Sequence, residues 1–326
     1  MILTGTLERA EFVKLRYRVR LLEPLDVDLA TLLRLRRNLR AAGSYVFYHA
    51  DGRTNAGVHP FSQLFSPPIA DDPVARQRYQ QSAAAFVLQP DPACCRHYQR
   101  DELLTFPVVL WGGRQEQIVQ LAQVFQALGK NGLRHDAGRF ELLEIAGQDS
   151  SGRYANLWRA GEDLAQVQSP LRDADWWLST LPVAVNELTL KFITPARLMQ
   201  RNRPLFRADF SDLFPFILRR VSSMLYAHCH LELVDDPARM IELAQQVVVL
   251  ENHLEWQDWR QLGPDPQMQQ PLGGLMGTLR LQGTTLVDLL PVLELGTLMN
   301  LGKNAAYGAG CYQLQMCGGG AFEKSH

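Results

Sequence analysis

The sequence predicts an α+β fold built from two tandem ferredoxin-like domains, at 1–180 and 186–318. Three observations carry that reading. The hydrophobic patterns of the first half run strand–helix–strand, strand–helix–strand, which is the order of a ferredoxin-like domain. The same order restarts near residue 188 and runs to about 316. The length of 326 residues is enough for two cores of ordinary size.

Taken in order, residues 12–22 alternate Lys14, Arg16, Arg18 and Arg20 with Val13, Leu15, Tyr17 and Val19, a strand with one cationic face. Leucines at 29, 32, 33, 35 and 39 with arginines between them predict an amphipathic helix ending at Gly43. Residues 43–84 are rich in Gly, Pro and Asn and read as a β-rich or irregular insert. Strands follow at 86–89 and 103–110, a helix at 115–128 stopped by Gly129, and a strand at 139–145. The polar stretch 147–175, which holds Asp149, Ser150, Ser151 and Gly152, predicts a hairpin and then the linker.

In the second half, 188–193 reads as a strand and 210–228 as a helix with Pro215 in its first turn. A shorter helix at 237–243 precedes strands at 247–259 and 275–283. Asp288 is placed to cap a helix at 289–300 with Pro291 in its first turn, and 311–316 is the last strand. No short repeat period is present, which excludes a solenoid.

Composition narrows the class. An apolar fraction of 46% with 21% charged residues is that of a soluble globular protein, and no run of 18 apolar residues offers a membrane span. The N-terminal residues lack the basic start and apolar run of a signal peptide. Cys94, Cys95, Cys229, Cys311 and Cys317 are odd in number and lack a framework spacing, so the expected location is a reducing cytoplasm. Cys94, Cys95 and His97 invite a zinc reading, but no second ligand pair completes the site, and no metal is expected.

The net charge of −1 hides an uneven distribution. Fourteen of the 33 basic residues fall in the 51 positions of 14–40 and 197–220, more than twice the density of the chain as a whole. The first window contains Arg34, Arg36, Arg37 and Arg40; the second contains Arg197, Arg201, Arg203, Arg207, Arg219 and Arg220. Such windows suit phosphate contacts, with a solvated helix face or strand edge as the competing reading. Trp256 and Trp259 read as packing residues.

The segment richest in information is 301–312, Leu-Gly-Lys-Asn-Ala-Ala-Tyr-Gly-Ala-Gly-Cys-Tyr, set between an apolar helix and the terminal strand. Gly302, Gly308 and Gly310 free the backbone for close approach, and successive N–H groups in such a loop can form a phosphate nest. Lys303 adds charge, Asn304 a polar side chain and Tyr307 a stacking face. A P-loop is excluded: five residues separate Gly296 from Gly302, and Asn304 stands where a Ser or Thr hydroxyl is needed. A dinucleotide fingerprint is excluded because the segment precedes a strand and not a helix. No nucleotide cofactor is expected. A glycine-rich turn without a ligand is the alternative.

This segment resembles the C-terminal glycine-rich loop, G-K-x-x-x-[FY]-G-x-G, of the CRISPR repeat-RNA processing endoribonucleases of the RAMP superfamily. The glycine-flanked strand 274–283, the strand and helix at 192–198 and 210–220, and the segments 86–90, 128–133 and 139–142 are similar to that family in the same order. The resemblance implies a tandem RAMP fold and a metal-independent endoribonuclease that binds CRISPR repeat RNA and cuts it into guide RNA. In that chemistry the RNA's own 2′-OH attacks the adjacent phosphate, giving 2′,3′-cyclic phosphate and 5′-OH ends. It also implies a histidine just after the first helix: His49 is the first candidate and His59 the second, with His97, His135 and His253 behind them. Arg36, Arg37, Arg40, Arg201, Arg203, Arg207, Arg219, Arg220, Gly302, Lys303, Asn304, Tyr307, Gly308 and Gly310 are the RNA-binding candidates. Other subunits of a CRISPR effector complex are the implied partners, and a non-cleaving guide-RNA-binding subunit is the alternative function.

Overall fold

The computed structural model describes residues 6–49, 59–67, 83–134, 137–182, 184–258 and 273–316. The first half comprises β1 (Glu11–Leu21), β2 (Leu25–Asp26), α1 (Leu29–Leu33), α2 (Leu35–His49), α3 (Pro60–Phe65), β3 (Phe86–Leu88), β4 (His97–Tyr98), β5 (Leu103–Trp111), α4 (Gln115–Asn131), β6 (Phe140–Gln148) and β7 (Tyr154–Arg159). A connecting stretch carries β8 (Arg172–Asp173) and α5 (Ala174–Ser179). The second half comprises β9 (Glu187–Ala196), β10 (Met199–Gln200), β11 (Arg203–Pro204), α6 (Phe210–Cys229), α7 (Pro237–Gln245), β12 (Val248–Asn252), β13 (Glu255–Gln257), β14 (Gly274–Gln282), α8 (Leu286–Thr297) and β15 (Tyr312–Met316).

Both main sheets are antiparallel and repeat one order. The first runs β3-β5-β1-β6 with β7 added at its edge, and the second runs β12-β14-β9-β15. In each half the first strand is central, flanked by the third and fourth, with the second strand outside the third. That is the tandem ferredoxin-like architecture expected from the sequence.

The centre of the first sheet follows from the alternation in β1. Val13, Leu15, Tyr17, Val19 and Leu21 are at most 1% exposed and share a core with α2 and α4. Burying each such side chain contributes about 1.5–3 kcal/mol. The Tyr17 hydroxyl donates to Ile118 O at 3.2 Å, and its ring stacks on Phe125 at 4.8 Å. The basic residues of the opposite face are not a free cationic surface. Arg18 pairs with Glu144 at 3.2 Å and Arg20 with Glu141 at 2.6 Å, each directly across from it in β6. The Arg16 guanidinium lies 3.7 Å from the Tyr154 ring centre, and Lys14 Nζ lies 5.0 Å from that of Trp177.

Several expected boundaries move. The first helix does not end at Gly43: it breaks at Arg34 and then continues to His49. Gly43 lies inside α2 because an added Cβ would collide with the Phe65 ring of α3. Likewise Gly129 lies inside α4, where a Cβ would meet Phe140 O, and α4 ends at Gly132 with φ +85°. The described part of the insert is helical, not β-rich, since α3 occupies it. The hairpin expected in the polar stretch joins β6 to β7 through Asp149 and Gly152. Residues 247–259 form two short strands interrupted at His253, and Trp259 lies outside the described residues. The helix expected at 289–300 is α8, which starts at Leu286 behind Thr285, so Asp288 sits in its first turn and is not its cap. Pro215 and Pro291 lie in helix interiors and not in first turns. Among the described residues no helix is long and apolar enough to cross a membrane.

The halves also meet at the end of α6. His228 Nε2 lies 3.0 Å from Ala83 O, and burial pushes the imidazole pKa down from its ordinary 6.5 to about 4. The folded state therefore holds a neutral ring that donates from Nε2, while the unfolded chain takes up a proton below about 6.5. This contribution is complete above pH 6.5 and is lost as pH falls toward 4. We expect melting temperature to drop over that window, and His228→Gln to remove part of the drop, an increment of at most about 3 kcal/mol. Parallel melting curves for the two proteins across the window would contradict this account.

Candidate functional site

The chain leaves α8 at Asn300, a residue type that tolerates its left-handed φ of +54°. Its side chain, 1% exposed, donates from Nδ2 to Leu88 O at 2.8 Å and to Ala305 O at 3.0 Å. Its Oδ1 accepts from Gln89 Nε2 at 3.1 Å. The following loop is thereby fastened to the end of β3. Thr194 binds it to β9: Oγ1 donates to Gly308 O at 2.7 Å and accepts from Cys311 N at 2.8 Å.

Most of the loop's amides are committed inside the protein. Leu301 N donates to Gly310 O, Lys303 N to Arg197 O and Gly310 N to Pro195 O, each at 2.9 Å. Ala305, Tyr307, Gly308 and Ala309 donate to carbonyls within the loop itself. The phosphate nest expected from the glycines is thus closed by internal hydrogen bonds. Gly310, with φ +66°, has no space for a Cβ beside Leu301 O, and a Cβ on Gly308 would lie 2.9 Å from Pro90 Cγ. Gly302 abuts Arg197 O in the same way. These three glycines serve close packing. Tyr307 is 6% exposed, with its ring edge-to-face against Phe86 at 5.5 Å, so its expected stacking face is taken up within the first-half core. Burial raises its hydroxyl pKa above the ordinary value.

What the loop offers outward meets α2. Arg36 Nη1 donates to Asn304 Oδ1 at 2.8 Å, and its guanidinium lies 5.9 Å from the Tyr307 ring centre. Arg40 donates to Ser66 Oγ at 3.3 Å and lies over Phe61 at 5.2 Å and Phe65 at 5.7 Å. Lys303 and Arg37 are exposed. The structure therefore gathers Arg36, Arg40, Asn304 and Tyr307, which are far apart in sequence, where α2 crosses the loop.

His59 lies at the edge of this surface. It caps α3, accepting from Phe61 N at Nδ1 (3.2 Å), and its ring stacks on Tyr48 at 4.3 Å. A neutral imidazole whose Nδ1 accepts carries its hydrogen on Nε2. His49 is the last residue of α2, and its side chain lies outside the description. His135 also lies outside the described residues. His97 is 2.6 Å from Asp26 Oδ1 and His253 is 3.3 Å from Glu251 Oε2, both at exposed positions. Cys94 and Cys95 are free thiols, and among the described residues no group of three His, Cys, Asp or Glu side chains is arranged to hold a metal.

The second basic window divides. Arg220 belongs to the framework: its Nε and Nη2 both donate to Met299 O, at 3.2 and 2.9 Å, and burial lowers its pKa to about 10. A cation held on the carbonyls that end a helix suits the helix dipole, and it is not available to phosphate. Arg201, Arg203, Arg207 and Arg219 are exposed, and the β10–β11 hairpin presents the first two directly after the Arg197 segment on which the loop docks. Tyr45 and Tyr48, 62% and 55% exposed, are surface residues that the sequence reading passed over. Their spacing from Arg37 places all three on one stripe once the helix is known to run to His49.

Residues 190–312 match the family model described as CRISPR-associated endoribonuclease Cas6, and residues 51–170 match a model described as an N-terminal domain. No curated protein matches the chain. Among solved structures, a partial Cas6-RT-Cas1–Cas2 complex aligns with a TM-score of 0.56 at 14% identity, covering 100% of this chain and 48% of that one. A second structure of a Cas6-RT-Cas1–Cas2 complex aligns equally well and is covered over 30% of its chain, so this chain spans half or less of both. A Thermus thermophilus Cas6 in a product complex aligns with a TM-score of 0.50 at 14% identity, covering 94% of this chain and 100% of that one. These likenesses bear out the fold, and the Cas6 match bears out the resemblance read from the glycine-rich segment.

Gly310→Ala combines a clash against backbone with an unfavourable φ, and we expect a loss of about 3 kcal/mol or more in denaturant unfolding. Lys303→Ala, at an exposed position, should stay within about 0.5 kcal/mol of the parent. Equal stability of Gly310→Ala and the parent would mean that the loop is not packed as described.

Proposed function

We propose, from the match of residues 190–312 to the family model of the CRISPR-associated endoribonuclease Cas6, that the chain binds CRISPR repeat RNA and cuts it without a metal ion. The family is one of RNA-cleaving enzymes; the substrate, the chemistry and the residues are our reading. The observation that carries it is the junction of α2 with the glycine-rich loop, where Arg36, Arg40 and Asn304 converge beside the exposed Lys303 and Arg37. Cations so placed suit a phosphodiester and the extra negative charge of its transition state.

The reaction is an intramolecular transesterification. A general base takes the 2′-OH proton as O2′ bonds to phosphorus, the P–O5′ bond breaks, and O5′ leaves with a proton, giving 2′,3′-cyclic phosphate and 5′-OH ends. His49 at the end of α2 is our first candidate for proton transfer. His59 is second, because its Nδ1 is already engaged in capping α3. Lys303, Arg37 and Arg40 are assigned to charge stabilisation. Other CRISPR subunits are the proposed partners.

The test is single-turnover cleavage of a cognate repeat RNA in EDTA. We expect one cleavage site, with His49→Ala slowing the step by about 10²- to 10⁴-fold while RNA affinity stays within a few-fold. Loss of cleavage in His59→Ala with full activity in His49→Ala would move the role to His59. Binding without product in the parent protein would favour a non-cleaving guide-RNA subunit, and activity that requires added divalent metal would overturn the mechanism.

A further inference from the structure

The β10–β11 hairpin and the β12–β13 pair bound a surface that the cleavage reading leaves unused. Arg201 and Asn202 turn the hairpin with φ of +49° and +62°, and Arg203 and Arg207 follow. All three arginines are exposed, and none of them forms an ion pair among the described residues. Between the two elements lies a groove of about 670 Å³, lined by Phe206, Arg207, Asn252, His253, Glu255 and Trp256 among others. A second hollow of about 600 Å³ is lined by Arg201 and Arg203 with Gln200, Pro204 and Leu205. A volume of this size accommodates a nucleotide.

Two features of the groove suit a ligand that carries both rings and negative charge. Phe206 is 57% exposed, yet its ring is fixed edge-to-face against Trp256 at 4.7 Å. Trp256 in turn has the Arg197 guanidinium 5.8 Å from its ring centre. Asn252 stiffens the wall, with Nδ2 donating to Ala208 O at 3.0 Å and to Asp209 Oδ1 at 2.8 Å. Among the described residues of the groove lining, Glu255 is the one carboxylate and Arg207 the one arginine, and Arg201 and Arg203 line the second hollow. Aromatic faces beside a surplus of guanidinium groups match the two chemical parts of a single strand, bases and phosphates.

We propose that this groove binds unpaired RNA, with a base against Phe206 and Trp256 and the flanking phosphates on Arg203 and Arg207. The proposal rests on the RNA-binding reading of the chain but not on cleavage. It gives the protein a contact outside the α2–loop junction, and because every base has a π-face the contact tolerates any sequence.

The test uses the full chain and a short labelled oligouridylate, which cannot pair with itself. We expect Phe206→Ala to weaken binding about tenfold, the scale of one lost base stack. Arg203→Gln with Arg207→Gln should lower the slope of log affinity against log salt by about 1.4, two single-strand phosphate contacts. Melting curves check the fold, and should Phe206→Ala melt early, the exposed arginine pair carries the test. Oligouridylate affinity unchanged in both variants overturns the proposal even if repeat RNA is still cut, which leaves the cleavage reading intact. Variant-sensitive oligouridylate binding without cleavage of repeat RNA keeps the groove and removes the cleavage reading. A parent protein that does not bind oligouridylate also overturns the proposal and turns attention to a protein partner for the groove.

Discussion

Asn300 connects the second half to the first through a single carboxamide. Its Nδ2 serves Leu88 O of β3 and Ala305 O of its own loop, while its Oδ1 takes a hydrogen from Gln89. At 1% exposure the Asn300 carboxamide has no water as an alternative partner. An apolar replacement would leave several buried polar groups unpaired, each costing about 1–3 kcal/mol. Gln89 extends the arrangement to Thr297 O at 3.2 Å and so joins the end of α8 to the same strand end. The position of every functional candidate in the loop follows. Asn304 reaches Arg36, Tyr307 enters the first-half core, and Lys303 is left outside, lying against the Arg197 segment that starts the β10–β11 hairpin.

That arrangement sorts the cations by what surrounds them. Arg18 and Arg20 face Glu144 and Glu141 across a strand pair, and Arg220 is bound to Met299 O. These charges stabilise the fold and add little to an external field. The exposed set, Arg37, Lys303, Arg201, Arg203, Arg207 and Arg219, stands along α2, the loop, the hairpin and α6. A net charge of −1 is thus compatible with binding a polyanion, because Debye screening at about 8–10 Å makes local patches matter more than the sum.

The strand and helix order was legible because burial imposes a period on each element, and the period survives in β1, α4, β9 and α6 whatever the surroundings. Less legible were positions where tertiary contact overrides a local signal. Gly43 and Gly129 carry the usual mark of a helix end, yet each lies within a helix because another element approaches too closely for a Cβ. The misplaced end of α2 then hid the stripe that carries Tyr45 and Tyr48. Arg220 shows the same limit for charge: neighbouring arginines at 219 and 220 read alike in sequence, while helix geometry turns one to solvent and the other onto a backbone carbonyl. Of the site itself, the glycine-rich segment was recognisable and its role was not, since no local pattern tells which amides of a loop are taken by partners a hundred residues away.

This bears on what a glycine signature reports. In a phosphate-binding loop the glycines bring unpaired amides to a ligand. Here Gly302, Gly308 and Gly310 admit Arg197 O, Pro90 and Leu301 O, three contacts made by the protein with itself. Gly308 meets the first half at Pro90, while Gly302 and Gly310 close the loop on the second half, and a Cβ at Gly310 has nowhere to go. The proposed chemistry is assigned to side chains around that loop: arginines of α2 on one side, Lys303 at the loop's outer edge, and a hairpin of arginines beyond it. A search for catalytic or RNA-contacting groups should therefore move outward from the glycines to the side chains they position, where substitution alters function without first undoing the fold.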